Sequence, residues 1–245
     1  MKSAYQTLLV IAALCVGGAA AQATPPASKP VPTKPTVSGQ GSTLSGVVAV
    51  QRMGKPRADA SDILVYVVGF DEPPPNTTAA SRPKLGQRNK QFERRLMAIT
   101  AGQEVDFPNS DKFFHNVFSL SKTRKFDLGQ FEKGRSKMKR FPRKGIVEVY
   151  CNIHPSMSAT IVVLPNRAHA MTSKSGAFSI AGVPPGTWTV YAYSRHAARP
   201  TRVTNVVVAA GKGTVVTGLR LNEDRVDLTH KNKYGQAYKD PKGRY

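Results

Sequence analysis

The stretch "GIVEVYCNIHPSMSATIVVLP", residues 145–165, decides the fold. Its first seven residues alternate, so that Val147, Val149 and Cys151 share one face of a strand while Glu148 and Tyr150 take the other. "SATIVVLP" then resumes as a second run rich in β-branched residues. Between the two lies a tight loop, and Cys151, His154 and Met157 stand on it with the spacing C-x2-H-x2-M. A thiol, an imidazole and a thioether are thereby delivered to one end of a strand pair.

Strand character extends outward in both directions. "SGVVAV" from Ser45, "DILVYVVGF" from Asp62, "HNVFSLS" from His115 and "GTWTVYAYS" from Gly186 are short apolar runs bounded by turn formers. Beyond the N-terminal segment, no stretch repeats its apolar residues at i, i+3, i+4 and i+7. Many short strands with frequent Gly and Pro turns predict an all-β protein built of antiparallel sandwiches. Roughly 180 residues of this kind are too many for one small sandwich, so two units are expected. "PNRAHAMTSKS", from Pro165, breaks the strand run and sets the expected boundary, giving units over 44–164 and 165–222. Pairing of 44–70 with the second unit is the alternative.

The ends differ in character from this middle. Residues 1–23 place Lys2 before an apolar run and close on Ala21-Gln22-Ala23, the layout of a cleavable export signal. The run is short for a bilayer span. Residues 24–43 hold five prolines and almost nothing apolar, which predicts a flexible, partly extended linker. Residues 223–245 read as a polar tail that either docks or stays loose. A soluble, periplasmic protein is the expectation. Cys15 would leave with the signal, so the mature chain would keep Cys151 alone. An unpaired thiol in an oxidising compartment calls for a reason, and metal ligation supplies one.

The formal charge is +21, and ten Lys or Arg residues against two acids crowd the stretch from Lys122 to Lys144. Export argues against nucleic acid as the partner. An acidic redox protein fits this charge, and an anionic membrane surface would also suit it. Solubility alone is the plainer explanation of the same charge.

Upstream of the loop, "FPNSDKFFHNVFS" offers His115 at the start of another apolar strand. Two imidazoles, one thiolate and a weak thioether form a set suited to copper cycling between two oxidation states, whereas structural zinc recruits more Cys or His. His169, His196 and His230 have no such spacing and are expected to be ordinary surface or structural residues.

"VDFPNSD" from Val105, "HNV" from His115 and "GIVEVYCNIHPSM" from Gly145 together resemble the cupredoxins, the Greek-key β-sandwich of plastocyanin, amicyanin and pseudoazurin. The resemblance implies that His115, Cys151 and His154 are equatorial ligands of one type 1 copper, that Met157 is the axial ligand, and that Asn116 braces the site from behind. "SGAFSIAGVPPGTWTVYAYS", from Ser175, resembles the carboxypeptidase-regulatory-like or transthyretin-like (prealbumin-like) sandwich, which implies packing and spacing roles for the second unit. The function so implied is single-electron transfer without catalysis or a small-molecule substrate. A copper carrier or sensor, or a structural β-module without a redox site, are the alternatives. A thiol enzyme is disfavoured, because no orienting third residue accompanies Cys151 and His154.

Overall fold

A computed structural model describes residues 41–224 and 228–238, and they are all-β. No helix among them is long and apolar enough to cross a membrane. The expected export signal, most of the expected linker and the last seven residues lie outside the described residues.

The sandwich that carries the cysteine has a five-stranded sheet in the order Phe126–Phe131, His115–Ser119, Gly145–Cys151, Ser158–Leu164, Leu96–Thr100. The last pair is parallel and the others antiparallel. A two-stranded sheet of Glu104–Pro108 and Ser136–Arg140 accompanies it. Its core contains Val105, Phe107, Val117, Phe126, Phe141, Val147, Val149 and Ile161. Val147, Val149 and Cys151 are fully buried, as the alternation requires, while Ile146 on the opposite face is exposed. Burying each large apolar side chain contributes roughly 1.5–3 kcal/mol.

The second sandwich redraws the expected boundary. Ser42–Val47 pairs with Ala177–Val183 and with Thr214–Val216. Leu64–Val68 pairs with His169–Met171 and Gly186–Tyr193. Ala49–Arg52 pairs with Arg220–Glu223. Residues 42–70 therefore belong to this unit, and the expected linker already gives way to strand at Ser42. The reason is burial: Leu44, Val48, Ile63, Val65 and Val67 share one core with Phe178, Trp188, Val190, Val206 and Leu219. About 57 residues could not have closed such a core without them. The chain leaves this sandwich near Phe70 and returns near Pro165. The two crossings touch, since Glu72 N–H donates to Pro165 O (2.9 Å) and Asn166 Nδ2 to Phe70 O (2.9 Å).

The Ser158–Leu164 strand joins the two units. All seven residues are buried. Ala159, Ile161 and Val163 face the first core, whereas Val162 and Leu164 pack with Leu64 and Tyr193 of the second unit. Burial on both faces explains the unbroken apolar run in "SATIVVL". Arg195, almost wholly buried, crosses from the second unit to donate to Thr160 Oγ1 (2.8 Å) and Ser158 Oγ (3.0 Å). Thr160 in turn donates to Glu148 (2.8 Å), and this hydroxyl bond and the Arg195 charge offset only part of the upward push that burial gives the Glu148 carboxyl.

One residue assigned to the expected tail is structural. Glu223 is 1 % exposed and accepts from Arg52 (2.7 Å), Arg57 (2.9 Å) and Ser194 (2.6 Å). Burial pushes its carboxyl up, and these donors outweigh that and hold it below its usual 4.5. A depressed carboxylate stabilises the fold fully above pH 4.5 and loses that contribution as pH falls through the folded value. Glu223→Gln should cost about 2 kcal/mol in urea unfolding at pH 7 and flatten the acid limb of the stability curve.

Candidate metal centre

Two strands and the loop between Cys151 and Ser158 deliver the donors. His115 opens its strand, Cys151 closes the Gly145–Cys151 strand, His154 lies in the connecting loop, and Met157 immediately precedes Ser158–Leu164. The neighbouring strands register Val117 against Cys151, which fixes His115 near the thiol. The loop is short enough to close on itself: Cys151 N–H donates to Met157 O (3.1 Å) and Met157 N–H to His154 O (3.0 Å).

The three expected equatorial donors converge. Cys151 Sγ lies 3.6 Å from His115 Nδ1 and 3.6 Å from His154 Nδ1, and the two Nδ1 atoms are 3.1 Å apart. The point equidistant from all three lies about 2.0 Å from each, close to a metal–nitrogen bond and somewhat inside a metal–sulfur bond of about 2.3 Å. All three residues are buried, Cys151 and His115 completely. Met157 is fully buried in the same core cluster as Cys151. Two neutral imidazoles and a thiolate around a common centre fit a metal ion by donor chemistry as well as by distance.

The surroundings select the donor atoms. His115 Nε2 meets Asp111 Oδ2 at 3.2 Å. A carboxylate only accepts, so Nε2 carries the proton and Nδ1 keeps its lone pair toward the cysteine. Asp111 is itself held by Lys90 N–H (2.6 Å) and Lys112 N–H (2.9 Å). Burial raises its carboxyl, but these donors and His115 outweigh that and leave it below the usual range. Lys90 reaches it because Asn89 and Lys90 both have positive φ (52° and 56°) at the tip of the Gln87–Arg88/Gln91–Phe92 hairpin. Buried Asn109 shapes the rest of this loop, donating to Phe113 O (2.9 Å) and Phe131 O (3.1 Å) and accepting from Asp111 N–H (2.9 Å).

Burial pushes the Cys151 thiol up, and the backbone amides of Asn116, Ile153 and His154 oppose that by donating toward the sulfur. Asn116 serves the site through its backbone on two sides, since its carbonyl also accepts from Asn152 N–H (2.9 Å). Its side chain donates to Asp127 Oδ1 (2.5 Å). Its side-chain amide is thus directed at an acid that spacing did not point to, and it is the Asn116 backbone that adjoins the donors. Asp111 also escaped the sequence reading, although its place four residues before His115 was the available signal. His169 and His196 lie in the second unit, and His230 lies against Tyr150, apart from the donors.

Residues 169–216 match the family model described as polysaccharide lyase family 4, domain II, whereas the sequence resemblance had set this unit beside transthyretin-like modules. No curated protein matches the chain. Among solved structures, amicyanin from Paracoccus versutus (Thiobacillus versutus) is 21% identical over 41% of this chain and 97% of its own, with a TM-score of 0.33. A purple cupredoxin from Nitrosopumilus maritimus is 22% identical over 36% of this chain and 88% of its own, with a TM-score of 0.28. A reduced Cu(I) amicyanin variant is 18% identical over 41% and 98%, with a TM-score of 0.34. The case for a metal here rests on this chain's own donors.

Asp111→Ala should weaken metal binding roughly 10–100-fold in competition with a chelator, by releasing the His115 tautomer and ring. Burial, then the proximity of His115 and Lys90, lowers the His154 imidazole from 6.5 to about 4. The unfolded chain therefore takes up this proton first on acidification. Metal-free protein should lose stability between about pH 6.5 and pH 4, and His154→Gln should reduce that loss in denaturant titrations at the two pH values.

Proposed function

We propose that the protein is a periplasmic single-electron carrier, not an enzyme, in which one type 1 (blue) copper is held by His115, Cys151 and His154 with Met157 as the axial ligand. The convergence of two Nδ1 atoms and one Sγ on a buried common centre carries this reading. Copper bound there would supply a one-electron Cu(II)/Cu(I) couple. The protein's share is to hold the donors still and dry. Cys151 sits under three backbone amides, His115 is fixed through Asp111, and the loop is closed by its own backbone bonds, so little has to move when charge changes. Complete burial of the thiol suits electron transfer better than metal delivery, which needs donors that an acceptor can reach.

His154 is the donor nearest the surface. The Phe113 ring packs edge-on against it at 6.2 Å, with Lys90 and Lys112 over that ring at 4.4 and 5.4 Å. Phe113 and Phe114 are 38 % and 54 % exposed. An apolar contact rimmed by lysines supports an acidic redox partner as the docking protein, whose association would slow as salt rises. The export-signal pattern of residues 1–23 supports the periplasm as the place of work.

One equivalent of Cu(II) added to the purified protein should produce an intense thiolate-to-copper band in the red, bleached by ascorbate. Cys151→Ser should abolish that band. Met157→Leu should retain copper and raise the reduction potential. A folded wild-type protein that shows no band would remove electron transfer as the function.

A further inference from the structure

The polar C-terminal segment converges on the metal loop. His230 stacks on Tyr150 with ring centroids 4.3 Å apart and planes 18° apart. Tyr238 Oη donates to the carbonyl of Cys151 (2.8 Å) and packs edge-on against His230 (5.4 Å). Lys233 N–H donates to Asn152 Oδ1 (2.8 Å), and its ammonium meets Asp127 Oδ2 (2.7 Å), the same carboxylate whose other oxygen holds Asn116. Three consecutive residues, Tyr150, Cys151 and Asn152, are thus each gripped by the segment, and the Asn116 side chain is gripped through Asp127.

The segment is built to do this. Asn232 accepts from Tyr234 N–H (3.0 Å) and Gln236 N–H (3.0 Å), and its own N–H donates to Gln236 O (2.8 Å). Gly235 takes φ +80°, where a side chain would be strained, and its N–H donates to Asn232 O (2.9 Å). The chain therefore reverses on itself, which is how His230 and Tyr238, eight residues apart, meet over one spot. A polar segment with few apolar residues has no general reason to settle on a protein surface. This one directs its donors to the Cys151 carbonyl, to the side chain of the next residue, Asn152, and to Asp127.

We propose that His230, Lys233 and Tyr238 are positioning residues: a C-terminal strap that clamps the end of the Cys151 strand and so holds the thiolate donor in place. What the strap holds in place rests on the copper reading above, whereas its contacts are made by protein groups alone. Holding one ligand's backbone from outside limits how far the metal's donor triangle can relax, so metal retention should depend on the strap even though none of its residues touches the metal.

The test compares the full chain with a chain ending at Asp227 and with the milder double variant Lys233→Met/Tyr238→Phe, which keeps the fold's cores untouched. In the metal-free proteins, amide hydrogen exchange over residues 151–157 should be about tenfold faster in both variants, with second-sandwich amides unchanged. In the Cu(II)-loaded proteins, copper release to EDTA should be roughly tenfold faster, with the thiolate band shifted. Should the shortened chain fail to fold, the double variant decides. Unchanged exchange overturns the strap, and so does faster exchange with unchanged copper release. If the full chain binds Cu(II) without a thiolate band, the copper reading falls, and the strap is then judged on loop exchange alone, where faster exchange upholds the clamp.

Discussion

Burial of the Ser158–Leu164 strand on both faces is the constraint on which the rest of the molecule hangs. One face completes the core under the metal loop, and the other is the contact with the second sandwich. Its first residue follows Met157 directly, so the strand fixes the trailing end of the loop while Gly145–Cys151 fixes the leading end. Arg195 adds a polar rivet at the same place through Ser158 and Thr160. A buried guanidinium is tolerated because its hydrogen bonds are met and Glu148 lies close to it. The second sandwich therefore bears on the metal loop by packing against the strand into which the loop runs.

Around that strand the site is a set of nested supports. The donors are held by backbone amides and by Asp111, Asp111 by the Lys90 hairpin and by Asn109, and the Asn116 side chain by Asp127. Buried polar groups are costly unless satisfied, and here nearly every one has a named partner. His115 and Cys151 are thus each backed by a group that is itself held in place.

Much of this was legible in the sequence where the signal is local. The alternation in "GIVEVYC" set the face of Cys151, and C-x2-H-x2-M with an upstream His-Asn named the donors that the fold brings together. What was not legible depends on pairings between distant residues. Nothing in "DILVYVVGF" tells which sheet it joins, because a buried strand looks alike in either core. Asp111 reads as one more loop acid until the hairpin amide of Lys90 is seen upon it. The strap could not be inferred from its polar composition, since its anchorage is made of single hydrogen bonds and one ring stack.

The bracketing of the metal sandwich by the two parts of the other unit bears on the order in which the chain can be completed. Every strand around the donors lies between Gln87 and Leu164, so that unit has all its partners once residue 164 exists. The second sandwich must wait: Ser42–Val47 has no neighbour until Ala177–Val183 and Thr214–Val216 are made. With the chain's two crossings hydrogen-bonded to each other, the metal unit is in effect a cassette spliced into a loop of its host. On a growing chain the inserted unit can mature first, the host closes around its edge, and the strap arrives last.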